Sequence, residues 1–391
     1  MNNQPQNFDI AISGAGLVGA SMAIALAKSG FRICLFERHD LNLSAPEDGR
    51  TSALSWRSRS ILNQLDIWSH IENFAGEIRD ILISDQDSPT TIHYDHKLVH
   101  AHPMGYVVEN SVLHNAALNE LKKYPNIFLI SPTEISNIEQ QNSRVKIITK
   151  NHAEFNANLL IIAEGKTSSL RKKLDFSLRE KNYAQTAITC NLKHSLEHAS
   201  IAHENFRANG PLALLPMAEQ NFSSLVWTET ESFAKRLMQI SESEFIEQLQ
   251  MRIGNLLGEI SLSSPRFSYP LKLIYPTEIF ANSVVLIGDA AHGMHPIAGQ
   301  GLNVGLRDVE ALAEHLRNAK ALGLNISSKI MLEKYAEERR GDVLSMLAFT
   351  DGINALFRNS AGIIKNSRRI GMNIVEHTTP LKKFFIKQAM G

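Results

Sequence analysis

Cysteine is nearly missing from this sequence: 391 residues contain only Cys34 and Cys190. Both sit in apolar, strand-like runs, which predicts buried thiols rather than a disulfide or a metal pair. Net charge is missing too. Lys+Arg and Asp+Glu each total 40, which argues against a basic surface that coats nucleic acid. No apolar run approaches the roughly 18 residues needed to span a bilayer. The polar opening Met1 to Phe8 leads straight into a strand, without the apolar core of a signal peptide. The expectation is a cytoplasmic protein, at most peripheral to the inner membrane. No P-loop, zinc-type cysteine cluster or Ser-His-Asp arrangement points to another chemistry.

What is present reads as a folded chain of more than one domain. Hydrophobic residues make up 43% and charged residues 20%, the balance of a globular protein, and the length exceeds one ordinary core. Asp9 to Ile12 predicts a buried strand, Ala20 to Ala27 a tightly packed helix stopped by Gly30, and Phe31 to Phe36 a second strand. That is a βαβ unit, the opening of a doubly wound fold. A helix over Val112 to Lys123 and strands at Ile127 to Ile130, Val145 to Thr149 and Leu159 to Ala163 continue it. From about Asn182 to Pro270 the texture changes to extended pieces, Gln185 to Leu192 and Ser223 to Thr228, with a helix at Ser243 to Ile253. Val284 to Ile287 then rejoins the first domain, and helical periodicity runs from Leu302 to Phe357.

The expected architecture is α/β: a Rossmann-like, doubly wound domain (1–181, completed by 281–357), an inserted, mainly β substrate domain with some helix (182–280), and a C-terminal helical tail (358–391).

Gly14-Ala15-Gly16-Leu17-Val18-Gly19 fits G-x-G-x-x-G between strand and helix. In that fingerprint the first glycine makes the turn, the second admits a pyrophosphate, and the third lets helix and strand pack closely. Taken alone, the pattern also fits a loop that merely packs tightly. Glu37, followed by Arg38, ends the second strand where a ribose-binding acid is expected, which favours a dinucleotide site. The choice between NAD and FAD falls to Gly288-Asp289-Ala290-Ala291-His292, at the end of the Val284 to Ile287 strand. It is followed by Pro296 and by Gly299-Gln300-Gly301-Leu302-Asn303 at a helix start. A strand-end carboxylate suits ribitol hydroxyls, and helix N–H groups suit the pyrimidine edge of a flavin. An acidic turn before a capped helix is the bland alternative; the pairing with the amino-terminal fingerprint favours FAD.

With these motifs the sequence resembles the class A flavoprotein aromatic hydroxylases, and within them the ubiquinone-biosynthesis hydroxylases of the 2-polyprenyl-6-methoxyphenol hydroxylase type. The likeness covers nearly the whole chain. It includes Asp48 to Leu54, Gly105 to Asn110, Gly210 to Pro216, Val226-Trp227, and the run from Gly288 through His295 to Asn303. It implies that Arg50 contacts FAD, that Asp289 binds its ribitol, and that Gly299 to Asn303 lie against the isoalloxazine. It further implies NAD(P)H as reductant, O₂ as co-substrate, a flavin hydroperoxide, and a polyprenylated phenol as substrate. The sequence departs from the family at Glu164-Gly165, where the usual acid is an aspartate; Glu164 keeps the charge on a longer arm. Arg171, further along that segment, fits a phosphate contact or a structural one.

No general base stands out. His295 is the candidate for the phenolic proton, although a histidine bonded to its own loop fits equally. His292, Tyr106 and Trp227 read as structural. The tail Pro380 to Lys387 mixes basic and bulky apolar residues, which suits a membrane surface or a partner in a biosynthetic complex; a helix packed on its own protein is the simpler reading. A class A enzyme acting on a soluble phenol, or an epoxidase, would share every cofactor motif. A cofactor-free prenyl-binding protein on the same fold would be colourless.

Overall fold

The computed structural model describes residues 6–41, 49–86, 88, 90–141, 144–295, 297–359 and 361–390. Its first sheet runs in the order Phe280–Ala281, Val284–Leu286, Glu154–Ile162, Gln6–Ser13, Ile33–Phe36, Ile127–Ile130. All neighbours are parallel except the first pair. The central strand is apolar without alternation because both of its faces are covered. Ile10 and Ile12 meet the helices Leu17–Lys28, Asn110–Leu121 and Gln300–Ala321. Ala11 and Phe8 meet Val145, Ile147 and Phe155 on the opposite side. Helices thus cover one face, and the antiparallel strands Ile135–Gln141 and Arg144–Thr149 curl over the other. The α/β expectation holds. Cys34 and Cys190 are both free and buried, and burial pushes both thiols up.

The second sheet runs Ile260–Leu262, Leu178–His194, Phe222–Thr230, Leu212–Pro216, Ile201–Phe206, Asp80–Asp85, Thr91–Asp95, with Phe267–Pro276 also paired to Leu178–His194. It therefore recruits the hairpin Asp80–Asp95 from far upstream, joined in parallel to Ile201–Phe206. Helices Glu231–Gln239 and Glu242–Ile253 cover one face over Trp227, Leu225 and Leu214. Only the second helix is expected from the sequence, as Ser243 to Ile253; a capping box of Ser241 and Glu244 starts it at Glu242. A small third sheet, Thr51–Ser55, Gly105–Glu109 and Gly76–Ile78, lies between the larger two. Hydrogen bonds from Thr51 to Ser224 (2.8 Å) and from Asn191 to Glu109 (2.7 Å) tie it to the second sheet.

The helical stretch after Leu302 is two helices, Gln300–Ala321 and Lys329–Arg358, separated at Gly323, which has φ +65°. Gly362–His377 and Thr379–Met390 follow. Arg368 locks this region to the second sheet. Its guanidinium donates to both carboxylate oxygens of Asp85 (2.9 and 2.7 Å) and to the carbonyls of Leu356 and Phe357. Both side chains are essentially inaccessible. Stripping a buried ion pair of one partner costs about 3–5 kcal/mol, whereas replacing both with apolar groups is often neutral. Arg368→Ala is therefore expected to lose stability on that scale. Asp85→Leu with Arg368→Met should recover most of it, as read from denaturant unfolding; equal losses would contradict this.

Candidate active site

Three glycines of the first turn play separable physical roles. Gly14 has φ +101°, and a Cβ there would stand 2.7 Å from the Ala163 carbonyl oxygen. A Cβ on Gly19 would stand 1.9 Å from the carbonyl oxygen of Gly14. Both positions are closed by the protein's own backbone. Gly16 is different: it is exposed, it caps the helix Leu17–Lys28, and nothing lies within 4 Å of its Cβ position. The turn is built for close packing at two glycines and left open at the third, where unpaired N–H groups begin a helix. Leu17 and Val18 are partly exposed beside it.

Glu37 reaches this turn. Its carboxylate accepts from the Ala15 N–H (2.9 Å) and the His39 N–H (3.0 Å), while Arg38 points outward. His114, from the third helix, bonds the Ala15 carbonyl at 2.9 Å. Glu164 lies at the neighbouring strand end. It accepts from the Ser13 and Ser168 hydroxyls (2.6 and 2.8 Å) and from the Leu170 N–H (3.2 Å). The longer arm thus serves a local cap. Arg171 is buried and donates to the carbonyls of Ala290 (2.8 Å) and Lys166 (2.6 Å). Its role is to clamp two strand-end turns together.

The second segment is held from below. The Gly288 N–H donates to Asp308 (2.9 Å), His292 bonds the same oxygen, and Arg339 Nε takes the other at 2.7 Å. Burial would raise the Asp308 carboxyl, but His292 and Arg339 outweigh it and hold it below its ordinary range. Asp289 projects away from this cluster. It is partly exposed, and among the described residues no donor reaches its carboxylate. Gly299 takes a left-handed φ of +60° directly against Ala53 and begins the helix Gln300–Ala321. The Cβ position of Gly301 is 3.7 Å from the Asp289 carboxylate. Asn303 commits its amide to Ser55 N–H (2.9 Å), the Ser58 hydroxyl (2.7 Å) and the Ala53 carbonyl (2.9 Å). It fixes the helix start with its side chain and leaves backbone N–H groups for a ligand. Leu302 is partly exposed next to it. Arg50 is exposed, with its guanidinium 5.0 Å from the Tyr269 ring centroid. Asp48 and Pro296 lie outside the described residues.

The parts fit an extended dinucleotide. An open glycine at one helix N-terminus meets the pyrophosphate requirement, and an unpartnered carboxylate beside a second helix N-terminus meets the polyol requirement. Comparison with known proteins decides between cofactors. The model of a family described as FAD binding domain matches residues 7–350. The chain belongs to that FAD-binding family. It is 37% identical over 98% of its length to the ubiquinone hydroxylase UbiL of Rhodospirillum rubrum, of which 89% is covered. It is 28% identical over its whole length to 3-demethoxyubiquinol 3-hydroxylase of Escherichia coli, which is also covered completely. Among solved structures it resembles p-nitrophenol 4-monooxygenase PnpA of Pseudomonas putida, with TM-score 0.81, 19% identity and 99% of each chain covered. That last likeness establishes the fold alone.

In this FAD-binding chain, His295 is fully buried, and neither ring nitrogen has a partner among the described residues. Its ring meets Tyr183 edge-on at 4.9 Å. Burial pushes its pKa down to about 4, and Lys166 and Arg358 push the same way. At neutral pH it is an uncharged imidazole that can donate or accept one hydrogen bond but is too weak a base to store a proton. His292, Tyr106 and Trp227 are structural: His292 bonds Asp308, Tyr106 packs on Trp68 at 4.8 Å, and Trp227 is wholly buried. Sequence reasoning missed Asp308, whose only outward sign is an acid inside an apolar helix face, and His114, which carries no local sign.

The glycine geometry separates binding from folding. Gly16→Ala is expected to leave thermal unfolding of the cofactor-free protein unchanged while weakening FAD binding by about tenfold or more, because the new methyl occupies the approach path. Gly19→Ala is expected to destabilise the cofactor-free protein itself by about 1–3 kcal/mol or more. Thermal unfolding and FAD fluorescence titration read the two effects. Parallel behaviour of both variants would contradict the assignment.

Proposed function

We propose that this chain is a ring hydroxylase of ubiquinone biosynthesis. It is read as an FAD-dependent monooxygenase that inserts one oxygen atom of O₂ into a polyprenylated phenol and uses NAD(P)H as reductant. The observation that carries the reading is an apolar cluster beside the turn that would face the flavin. Ile297 from that turn packs with Ala202 and Phe206 of the second sheet and with Phe357, Met372 and Ile386 of the C-terminal helices. Such apolar surroundings suit an apolar substrate and would keep water from the reacting centre. The full-length relatives named for ubiquinone hydroxylation support the same substrate class.

Bound FAD supplies the redox chemistry, taking a hydride from NAD(P)H and handing on oxygen activated from O₂. The chain's part is to bind and orient. Gly14, Ala15, Gly16, Leu17, Val18 and Gly19 would hold the pyrophosphate, with Glu37, Arg38 and Arg50 along the adenosine side. Gly288 and Asp289 would take the ribitol. The backbone of Gly299, Gln300, Gly301, Leu302 and Asn303 would meet the ring, and Glu164 would support the turn between the two halves. His295 would offer a neutral hydrogen bond to the bound group rather than move a proton. The test is NAD(P)H consumption by the FAD-loaded protein with prenylated and unprenylated phenols, scored by product mass. Hydroxylated product with the prenylated phenol is expected; oxidation of NAD(P)H at equal rates with no hydroxylated product would overturn the reading.

A prenylated substrate resides in a bilayer, and the C-terminal helices suit its surface. On Gly362–His377, Met372 and Arg368 face inward, whereas Ile363, Ile370 and Ile374 are 83%, 63% and 52% exposed along the opposite stripe. No helix among the described residues is long and apolar enough to cross a membrane. After Gly352 the chain carries seven Lys and Arg side chains against the single carboxylate side chain of Glu376, in a protein of zero formal charge. Arg368 and Lys382 are buried in ion pairs with Asp85 and Glu376, which leaves Arg358, Lys365, Arg369, Lys383 and Lys387 at least partly exposed. Basic side chains near exposed isoleucines match an anionic lipid surface. The final helix anchors itself through buried Ile386 and Met390, so truncation would damage the core. Ile370→Glu with Ile374→Glu is the cleaner test. Cosedimentation with vesicles containing anionic phosphatidylglycerol should fall by about tenfold or more, with thermal unfolding unchanged. Undiminished cosedimentation would remove the proposal.

A further inference from the structure

The strand Ile201–Phe206 presents Ala202 and Phe206 to the apolar cluster that contains Ile297. Glu204 lies between them, and the period of a strand turns its side chain to the same face. The pairing agrees: Glu204 is in register with Ile83 on one side and Ala213 on the other. Ile83, and Leu215 two residues beyond Ala213, belong to the same apolar cluster. The cluster continues through Ala53, the side chain against which Gly299 is packed. A carboxyl group is thus built into the apolar wall that faces the flavin-side turn.

Its surroundings give it no structural task. Among the described residues no hydrogen bond or ion pair reaches the Glu204 carboxylate. Asp85, on the adjoining strand, is fully occupied by Arg368. Glu204 retains intermediate exposure, yet burial pushes its pKa up to about 7. The apolar side chains around the carboxyl remove enough water to favour its neutral form, and no donor beside it offsets that cost.

We propose that Glu204 is the hydrogen-bond acceptor and general base for the ring hydroxyl of the phenolic substrate. The inference rests on the ring-hydroxylase reading above and adds the group that neither the motifs nor His295 supplies. In the step, the phenol O–H bond breaks, a new O–H bond forms on a carboxylate oxygen of Glu204, and the phenolate keeps the electron pair. One negative charge moves from carboxylate to phenolate, so the apolar surroundings gain no net charge. The proton then leaves to solvent after the ring has reacted. The phenolate ring is the stronger carbon nucleophile, which is what oxygen insertion into the ring requires. A phenol titrates near about 10 and an ordinary carboxyl near about 4; burial narrows that gap and makes Glu204 the better-matched base.

Other titratable groups lie around the apolar cluster: Asp85 with Arg368, Tyr94 pushed up to about 12 by burial, and His295 down to about 4. Lys166 is directed to the Met294 carbonyl, Arg358 to that of Tyr183, and His100 and His102 lie against Trp56. Because several of these are nearby, the variant rather than the bare pH profile isolates Glu204.

The experiment uses the FAD-loaded full chain and two probes, 2-methoxyphenol and 1,2-dimethoxybenzene, which differ by the hydroxyl proton. Equilibrium binding, read by flavin fluorescence, should favour the phenol in the wild type. Glu204→Gln should lower that preference by roughly tenfold or more, the range of a hydrogen bond to a charged group, and Glu204→Asp should retain part of it. Infrared difference spectra should contain a protonated-carboxyl band that titrates near the shifted value, is absent in Glu204→Gln, and moves with the phenol but not with the ether. Product formation in the wild type should fall as pH drops through that midpoint, because the base form is consumed, and the inflection should vanish in Glu204→Gln. An unchanged binding preference and pH profile in Glu204→Gln would overturn the inference. Should that variant fail to accumulate, a wild-type band that responds equally to both probes would do the same. A wild type that hydroxylates no phenol would instead overturn the ring-hydroxylase reading.

Discussion

One buried carboxylate sets the geometry on which the site depends. Asp308 lies within the helix Gln300–Ala321 and collects the Gly288 N–H, His292 and Arg339. Through Gly288 it fixes the strand end that projects Asp289. Through its own helix it fixes the N-terminus formed by Gly299 to Asn303. Through Arg339 it draws in the next helix, and Asp342 continues the network to Arg307. Removing water from a carboxylate is expensive, and only several well-placed donors offset it. The cluster therefore has one low-energy arrangement, and the two halves of the second cofactor segment inherit their spacing from it.

The amino-terminal half was legible because its constraints are local. Gly19 is forced by the Gly14 carbonyl five residues away and Gly16 by open space, while Gly14, closed by Ala163 at the end of the neighbouring strand, still shows its positive φ as a glycine at the turn. The α/β alternation was legible for a similar reason: a strand covered on both faces has no polar alternation, as Ile10, Ala11 and Ile12 display. What escaped was non-local. Nothing within Asp80–Asp85 announces that it will pair in parallel with Ile201–Phe206, because strand register across a long separation leaves no periodic trace. Asp308 escaped because its partners come from another turn and another helix. Glu204 escaped because Ile201–Phe206 is not among the expected strands, and its neighbours appear only once Asp80–Asp85 is laid beside it.

The same non-locality shapes the apolar cluster. Its members come from the second sheet, the turn at Ile297 and the C-terminal helices, joined by contacts such as Arg368 with Asp85 and Asn354 with Gln185. None of these elements forms an apolar surface of that extent by itself. Apolar surroundings built from segments far apart in the chain can differ in shape between proteins that share the whole cofactor apparatus. This is why the cofactor motifs identify the reductive and oxidative chemistry but leave the substrate to be argued from those surroundings.

Asp308 and Glu204 together make the distinction between structure and function concrete. Both are shielded acids, and desolvation pushes both upward. At Asp308 a histidine and an arginine outweigh that push, so the group stays ionised and rigid. At Glu204 nothing opposes it, so the group is balanced between its two forms where an apolar substrate would lie. Burial alone does not separate a scaffold from a working residue; the presence or absence of compensating donors does. A fold that supplies three donors to one carboxylate and none to another leaves only the second able to answer a ligand.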